Sequence, residues 1–466
     1  MKIRVMGRLG AVAVGVSLGL TCIAVDGSRT PAGAESLRKS LARAYMRNPQ
    51  LGAERARQRA TDEAVPQALD GWRPTVTASG DYGVVSDDIK TRATRTKDTR
   101  DTGGFSISLS QPVFEGFRTL YGTKQAEATV EAGRQTLLNV QQTVLLDGVT
   151  AYMNVIRDRT IVALRRKNVA VLNEQLRASK ARFNVGEITR TDVAQARARL
   201  SQSQSNLAVA KSNLAASAAF YVRVFGVPPR KLYYPKRTLA KVPKSLKRAI
   251  RVAEEQNPTV LAASFTELAA RYAIKVAKGN LLPTLSLAAE YSLRGSTSST
   301  VTRTEAGSVV GSLSVPLYQG GGVFSSVREA KHTANQRRLE ILDARRIVRQ
   351  NVVTAWNNIV AAREAIRAAK QQVSANALAF SGVKQEALVG SRTTLDVLDA
   401  EQELVDSRVS LVQAQRELIV ARYQLIAAIG RLTAESMRLP VTLYDPTENY
   451  HRVRDKLFGT DIGESE

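Results

Sequence analysis

Residues 352–380 read VVTAWNNIVAAREAIRAAKQQVSANALAF, and Val352, Ile359, Ile366, Val373 and Phe380 fall at steps of seven within them. The residues between are mostly Asn, Gln, Arg, Lys and Ala. A seven-residue apolar seam of this length belongs to a helix that stays against partner helices for many turns. The same phase recurs 204 positions earlier, where Val155, Val162, Val169 and Leu176 stand for Ile359, Ile366, Val373 and Phe380, and Phe183 continues the line. A second pair of seams keeps the same offset. Val193, Leu200, Leu207, Leu214 and Tyr221 match Val397, Leu404, Leu411, Leu418 and Leu425. Four seams in two matching pairs define an internal duplication built on paired coiled-coil helices.

Working outward, other landmarks repeat as well. Ser36-Leu37, Asn48-Pro49 and Pro74-Thr75-Val76 return as Ser245-Leu246, Asn257-Pro258 and Pro283-Thr284-Leu285, each 209 residues on. Gln111-Pro112-Val113-Phe114-Glu115-Gly116 is matched by Val315 to Gly320 at an offset of 204. The five-residue change falls between those markers, in a region expected to be a hairpin loop, where length is cheap to alter. After each Pro the period changes from helical to two. Val76, Ala78, Gly80, Tyr82 and Val84 alternate with Thr75, Thr77, Ser79, Asp81 and Gly83. Phe105, Ile107 and Leu109 alternate with Ser106, Ser108 and Ser110, and the second copy repeats this with Leu285, Leu287, Leu313 and Val315 against Thr284, Ser286 and Ser312. The polar stretches Asp87–Thr102 and Arg294–Glu305 are expected to be exposed loops between paired strands.

Each copy is therefore helix, strand, loop, strand, long helix, break, helix. Residues 35–245 form the first copy and 246–439 the second, and 440–466 form a polar tail without a clear period. Asn184-Val185-Gly186 and Val389-Gly390 read as helix stops with a left-handed Gly. Thr191 or Asp192 is the expected N-cap of the helix that follows the first stop, and Asp396 opens the corresponding helix of the second copy. Helices of about 65 residues would run to about 100 Å and cannot fold back into a globule.

The N-terminus reads as a secretory signal over residues 1–34. Lys2, Arg4 and Arg8 precede an apolar core at Leu9–Val25, and Ala32-Gly33-Ala34 supplies the cleavage site. The one cysteine, Cys22, lies inside it. The chain carries a net charge of +25, of which the first 34 residues supply +3 (four basic against one acidic) and the rest +22. The basic residues are interspersed with Asp and Glu, as on solvated helix faces whose long stems cover apolar surface. A nucleic-acid partner would account for the charge but not for export, so none is expected. No later stretch approaches 18 apolar residues, which leaves no spanning helix.

An enzyme is not expected. His332 and His451 are the only histidines, there is no Cys/His metal spacing, and Gly320-Gly321-Gly322 is read as a strand-to-helix joint rather than a phosphate loop. No cofactor is implied. Exported strands with one apolar and one polar face fit a transmembrane barrel. Four strands cannot close one, and open edges are forbidden in lipid, so several chains must contribute. A periplasmic coiled-coil adaptor or structural protein is the alternative reading; it accounts for the seams but not for the two hairpins.

The landmarks that are most specific are Phe183-Asn184-Val185-Gly186 leading to Thr191-Asp192-Val193, and Val389 to Ala400. With Asn48-Pro49, Pro74-Thr75-Val76 and residues 111–116, they make the chain resemble the TolC-type outer-membrane efflux channels over roughly residues 35–439. The resemblance implies a mixed, mainly α fold with long α-barrel helices and four strands per chain in a shared trimeric β-barrel. It implies a homotrimer set in outer-membrane lipid, a periplasmic adaptor, an inner-membrane pump or ABC exporter, and export of drugs or secreted proteins. It also implies that Asp396 and Asp399 form rings at the pore constriction, and that Arg392 is a gate residue whose partners are Thr191 and Asp192 on the neighbouring hairpin. The chain departs from the family pattern at Ala387, where an aromatic gate residue is usual.

Overall fold

The computed structural model describes residues 35–235, 238–298 and 301–462. The secretory-signal reading of residues 1–34, including Cys22 and Ala32-Gly33-Ala34, lies outside them. The chain runs through α1 (Leu37–Arg47), α2 (Pro49–Asp62), α3 (Ala64–Leu69), a 3-10 turn at Asp70–Trp72, β1 (Thr75–Lys90), β2 (Arg95–Glu115), α4 (Arg118–Asn184) and α5 (Arg190–Phe225). It then repeats with α6 (Leu246–Gln256), α7 (Pro258–Gly279), β3 (Thr284–Ser298), β4 (Val301–Ser314), α8 (Gly322–Leu388) and α9 (Thr394–Ala428), and ends in α10 (Glu448–Val453).

The repeated Asn-Pro has a double role. Pro sits at the first helical position, where its missing N–H costs nothing. The Asn48 side chain accepts from Gln50 N–H at 3.0 Å and donates to the Val224 carbonyl at 3.1 Å, at the end of α5. Asn257 does the same in the second copy, accepting from Thr259 N–H at 2.9 Å and donating to the Ala428 carbonyl at 2.8 Å, at the end of α9. Each Asn thus caps one helix and satisfies a free carbonyl at the end of another.

α4 and α8 contain 67 residues each, about 100 Å of helix. α4 packs on α5, α7 and α9, and α8 packs on α9, α7 and α6. The predicted seams are contact lines over part of their length; Val169, Ile366, Val373 and Phe380 are half-buried and Phe183 is exposed. Val155, Val162 and Leu176 of the seam are buried on α4, together with Leu172 outside it, and Val352 and Ile359 on α8, with Ala355, Ala362 and Ala369 in the intervening positions. Small residues there let neighbouring helices approach closely. The largest apolar cluster surrounds the middle of α4, where Leu41, Tyr45, Leu145, Tyr152, Tyr221, Phe225, Tyr423 and Ile426 meet. The Tyr152 hydroxyl lies 2.7 Å from the Tyr233 carbonyl and accepts from Tyr233 N–H, tying down the connector between the copies.

The strands form one antiparallel sheet in the order β1-β2-β3-β4. Its register aligns the alternation across all four strands. Val76, Leu109, Ala289 and Val309 form one row, and Ala78, Ile107, Tyr291 and Gly307 the next. On the opposite face Thr77, Ser108, Glu290 and Ser308 line up, then Ser79, Ser106, Ser292 and Ala306. The apolar row lies open, with Val309 73% and Leu313 67% exposed. Each strand pair leads into its long helix through a left-handed turn. At Gly116 (φ +61°) a Cβ would lie 2.4 Å from the Gly279 carbonyl oxygen, so only Gly fits. Gly320 (φ +62°) and Gly321 (φ +81°) make the equivalent turn in the second copy.

Two expectations are corrected. Residues 87–102 are not a loop: β1 continues to Lys90, paired with Arg95, and only Thr91–Thr94 turn. The polar residues stay in the ladder because their charges pair across it. Arg95 bridges Asp88 at 2.6 Å and Arg100 bridges Asp87 at 2.8 Å. Likewise β3 and β4 extend through most of residues 294–305; Ser299 and Thr300 lie outside the described residues. The N-cap of α5 is Thr189, not Thr191 or Asp192.

Candidate functional site

The ends of the helical hairpins, far from the sheet, carry the candidate residues. Both turns are built alike. Gly186 (φ +76°) and Gly390 (φ +78°) stop α4 and α8 in the left-handed conformation. Three residues later Thr189 and Thr393 begin reciprocal capping boxes. Asp192 accepts from Thr189 N–H at 2.9 Å and Asp396 from Thr393 N–H at 2.9 Å, while each Thr hydroxyl accepts from its Asp N–H. These hydrogen bonds, chiefly from the side chain of Thr189 and the backbone of Thr393, hold both carboxyls below the usual carboxylate range. Both aspartates are therefore ionised at neutral pH.

Arg392 pairs with its own hairpin. Its Nε donates to the Glu386 carboxylate at 2.9 Å, and this hydrogen bond holds the guanidinium above its ordinary pKa. Within the chain it makes no bond to Thr191 or Asp192, which lie on the α5 hairpin; Thr191 is exposed there. The first hairpin has a charge-reversed counterpart in which Arg182 donates to Glu187 at 2.9 Å. Ala387 leaves the second hairpin without an aromatic ring at its end, whereas Phe183, 204 residues earlier, is 42% exposed at the end of the first; Val185 on one tip and Leu388 and Val389 on the other are also exposed.

Asp399 is placed differently from Asp396. It forms an ion pair with Arg199 on α5, which joins the two hairpins. Two further links lie along the same junction. Arg165 on α4 meets Asp406 on α9 at 2.9 Å. Asn168 on α4 accepts from Ser203 on α5 at 2.6 Å and donates to Glu401 on α9 at 3.2 Å. Glu401 is buried, and desolvation raises its pKa, opposed by the Asn168 hydrogen bond and the Lys384 charge. Leu172, Leu176, Ala196, Leu200 and Leu398 pack beside this layer. Sequence reasoning missed Thr189 and Thr393, although the Thr-x-x-Asp spacing carries the signal. It also missed Arg199, Glu386, Asn168, Ser203 and Glu401. Among the described residues, no group of three or more His, Cys, Asp or Glu comes together as a metal site, and no helix is long and apolar enough to cross a membrane.

A long helical body that carries an antiparallel hairpin sheet with one open apolar face is the architecture of an outer-membrane channel protomer. The family model described as outer membrane efflux protein matches residues 41–221 and 249–431, and the chain belongs to this family. It is 39% identical over 430 residues to the outer membrane efflux protein BepC of Brucella suis, covering 91% of this chain and 92% of that one. It is 28% identical to the outer membrane protein TolC of Escherichia coli, over 86% and 82% of the two chains. Among solved structures, the outer membrane channel CmeC of Campylobacter jejuni superposes with a TM-score of 0.79 at 15% identity, over 96% and 98% of the chains. The protein is an efflux and secretion channel of the Gram-negative outer membrane. Members of the family are channels, not enzymes.

Proposed function

We propose that three copies of the chain form one conduit, pooling twelve strands in a membrane barrel and the helical hairpins in a periplasmic tunnel. The observation that carries this reading is the sheet edge. β1 and β4 each pair on one side only, and every described residue of β4 is exposed. In lipid each unpaired backbone group costs several kcal/mol, so β4 of one protomer pairs with β1 of the next. The number three follows the resemblance noted above. A periplasmic adaptor and an inner-membrane pump or ABC exporter would complete the path for small molecules or proteins.

Arg392 and the two aspartates then act at the periplasmic mouth. Arg392 reaches Thr191 or Asp192 of the adjacent protomer's hairpin, while Glu386 holds its guanidinium in place. Asp396 and Asp399 bring six carboxylates together around the threefold axis. Class averages of the purified protein by electron microscopy test the assembly. The expected result is a long hollow cylinder with threefold symmetry; a compact particle or another symmetry would overturn it.

A further inference from the structure

The C-terminal tail runs along α1 and α2 toward the sheet. Tyr444 N–H donates to the Tyr45 hydroxyl at 3.0 Å on α1. Asn449 then donates to Asp62 at 2.9 Å, at the end of α2, and Val453 is buried. Finally the Lys456 carbonyl accepts from Arg73 at 3.1 Å. Arg73 lies between Trp72 and the Pro74 that precedes β1.

Past that point the chain closes into a small loop. Lys456 Nζ binds both the carboxylate and the carbonyl of Asp461 at 2.7 Å. Arg452 donates to the Ile462 carbonyl at 2.7 Å, and Gly459 turns at φ +97°. The loop is fixed at three points, yet it holds its apolar side chains outward. Phe458 is 88% exposed, Leu457 65% and Ile462 76%. A tail kept only to cover the helices would turn those residues in.

We infer that this loop is a membrane contact: Leu457, Phe458 and Ile462 enter the phospholipid leaflet at the periplasmic base of the barrel. The inference rests on the reading of the sheet as a lipid-embedded barrel. Val76, the first residue of the apolar face, is three residues from Arg73, about 10 Å along an extended strand and about 7 Å along the membrane normal for a strand tilted by about 45°. The headgroup zone is about 5–7 Å deep on each side of the hydrocarbon core, so the loop sits where apolar and aromatic side chains partition to an interface. Trp72, half exposed beside the same Arg73, continues the belt.

A nitroxide at Phe458→Cys tests the inference, in a full-length chain carrying Cys22→Ser. The protein is reconstituted in vesicles of phosphatidylethanolamine and phosphatidylglycerol. The expected result is collision with oxygen favoured several-fold over a water-soluble nickel chelate, relative to a label at Glu364→Cys on α8. Preference for the nickel chelate would overturn it. So would an immobilised label shielded from both reagents, which would mean that a neighbouring protomer covers the loop. A label at Ile107→Cys separates the two readings. Lipid exposure there with an aqueous Phe458 rejects the tail contact alone, and an aqueous Ile107 rejects the barrel.

Discussion

Arg199 on α5 and Asp399 on α9 form an ion pair that fastens the first helical hairpin to the second near the hairpin ends. Asp399 is therefore neutralised by its own chain, whereas Asp396, held in its capping box, remains an uncompensated carboxylate apart from the nearby Arg392. In the proposed gate, moving one hairpin away from the other to open the mouth would break this pair. Both side chains are part exposed, so the pair is worth about 0.2–1 kcal/mol. Arg199→Ala should raise the open probability in planar bilayers by up to about fivefold. It should also strengthen block by multivalent cations applied at the periplasmic side, because it frees Asp399. Unchanged conductance together with unchanged block would remove Arg199 from the gate.

The capping role and the ring role of Asp396 can be separated. Thr393→Ala removes the hydroxyl that receives the Asp396 N–H and weakens the helix start by about 0.5–2 kcal/mol, leaving the carboxylate in place. Asp396→Ala removes the charge. Cation block should persist in Thr393→Ala and fall in Asp396→Ala, furthest when Asp399→Ala is added. Arg392→Ser should raise conductance without weakening block. Loss of block in both the Thr393 and Asp396 variants would make Asp396 a helix cap and nothing more.

The register of the sheet sets the third expectation. Ile107 shares the apolar row with Ala78 and Tyr291, and its neighbour Ser108 shares the polar row with Thr77 and Glu290. A cationic side chain at mid-depth on the lipid face costs about 2–4 kcal/mol. Ile107→Arg should sharply reduce the amount of oligomer in outer-membrane fractions, and Ser108→Arg should leave it near the normal level. Equal tolerance would contradict the assignment of faces.

Periodicity was legible wherever a single face decided the fold. The steps of seven gave the buried lines of α4 and α8 through Val155, Val162, Leu176, Val352 and Ile359, the steps of two gave the rows of the sheet, and the Asn-Pro pairs gave the helix restarts. Polarity misled at residues 87–102, because a charged strand looks like a loop until its cross-strand pairs are seen. The junction of α4, α5 and α9 was not legible for a different reason. A heptad phase shows which side of a helix faces a partner, but not the axial level at which two helices meet. Nothing in the spacing of Asn168, Ser203 and Glu401 places them at one height.

The corrected hairpin confines the turn between β1 and β2 to four residues. The tip is Thr91–Thr94, where the Thr91 and Thr94 hydroxyls lie 2.8 Å apart and Thr91 N–H donates to the Thr94 carbonyl at 2.7 Å. An epitope inserted between Arg92 and Ala93 should be bound by antibody on intact cells with export retained. One inserted at Thr99, within the ladder, should lower the yield of assembled protein. Antibody access only after the outer membrane is opened would reverse the orientation.

Glu401 supplies a pH-dependent expectation. Burial raises its folded-state pKa above the ordinary 4.5, so the folded protein binds this proton more tightly than the unfolded chain. The favourable contribution is then fully present below the ordinary glutamate value and is lost as pH rises through the raised one. At neutral pH an ionised Glu401 is a net cost, offset in part by Asn168 and Lys384. Glu401→Gln holds the neutral form at every pH while keeping an oxygen for the Asn168 amide. Thermal melts of the detergent-solubilised channel, followed by helical circular dichroism, should show the variant more stable than wild type at pH 7. The difference should shrink toward zero as the pH falls below about 4.5. A lower melting temperature for the variant at pH 7 would mean instead that the charge itself, bonded to Asn168 and attracted by Lys384 on α8, stabilises the junction.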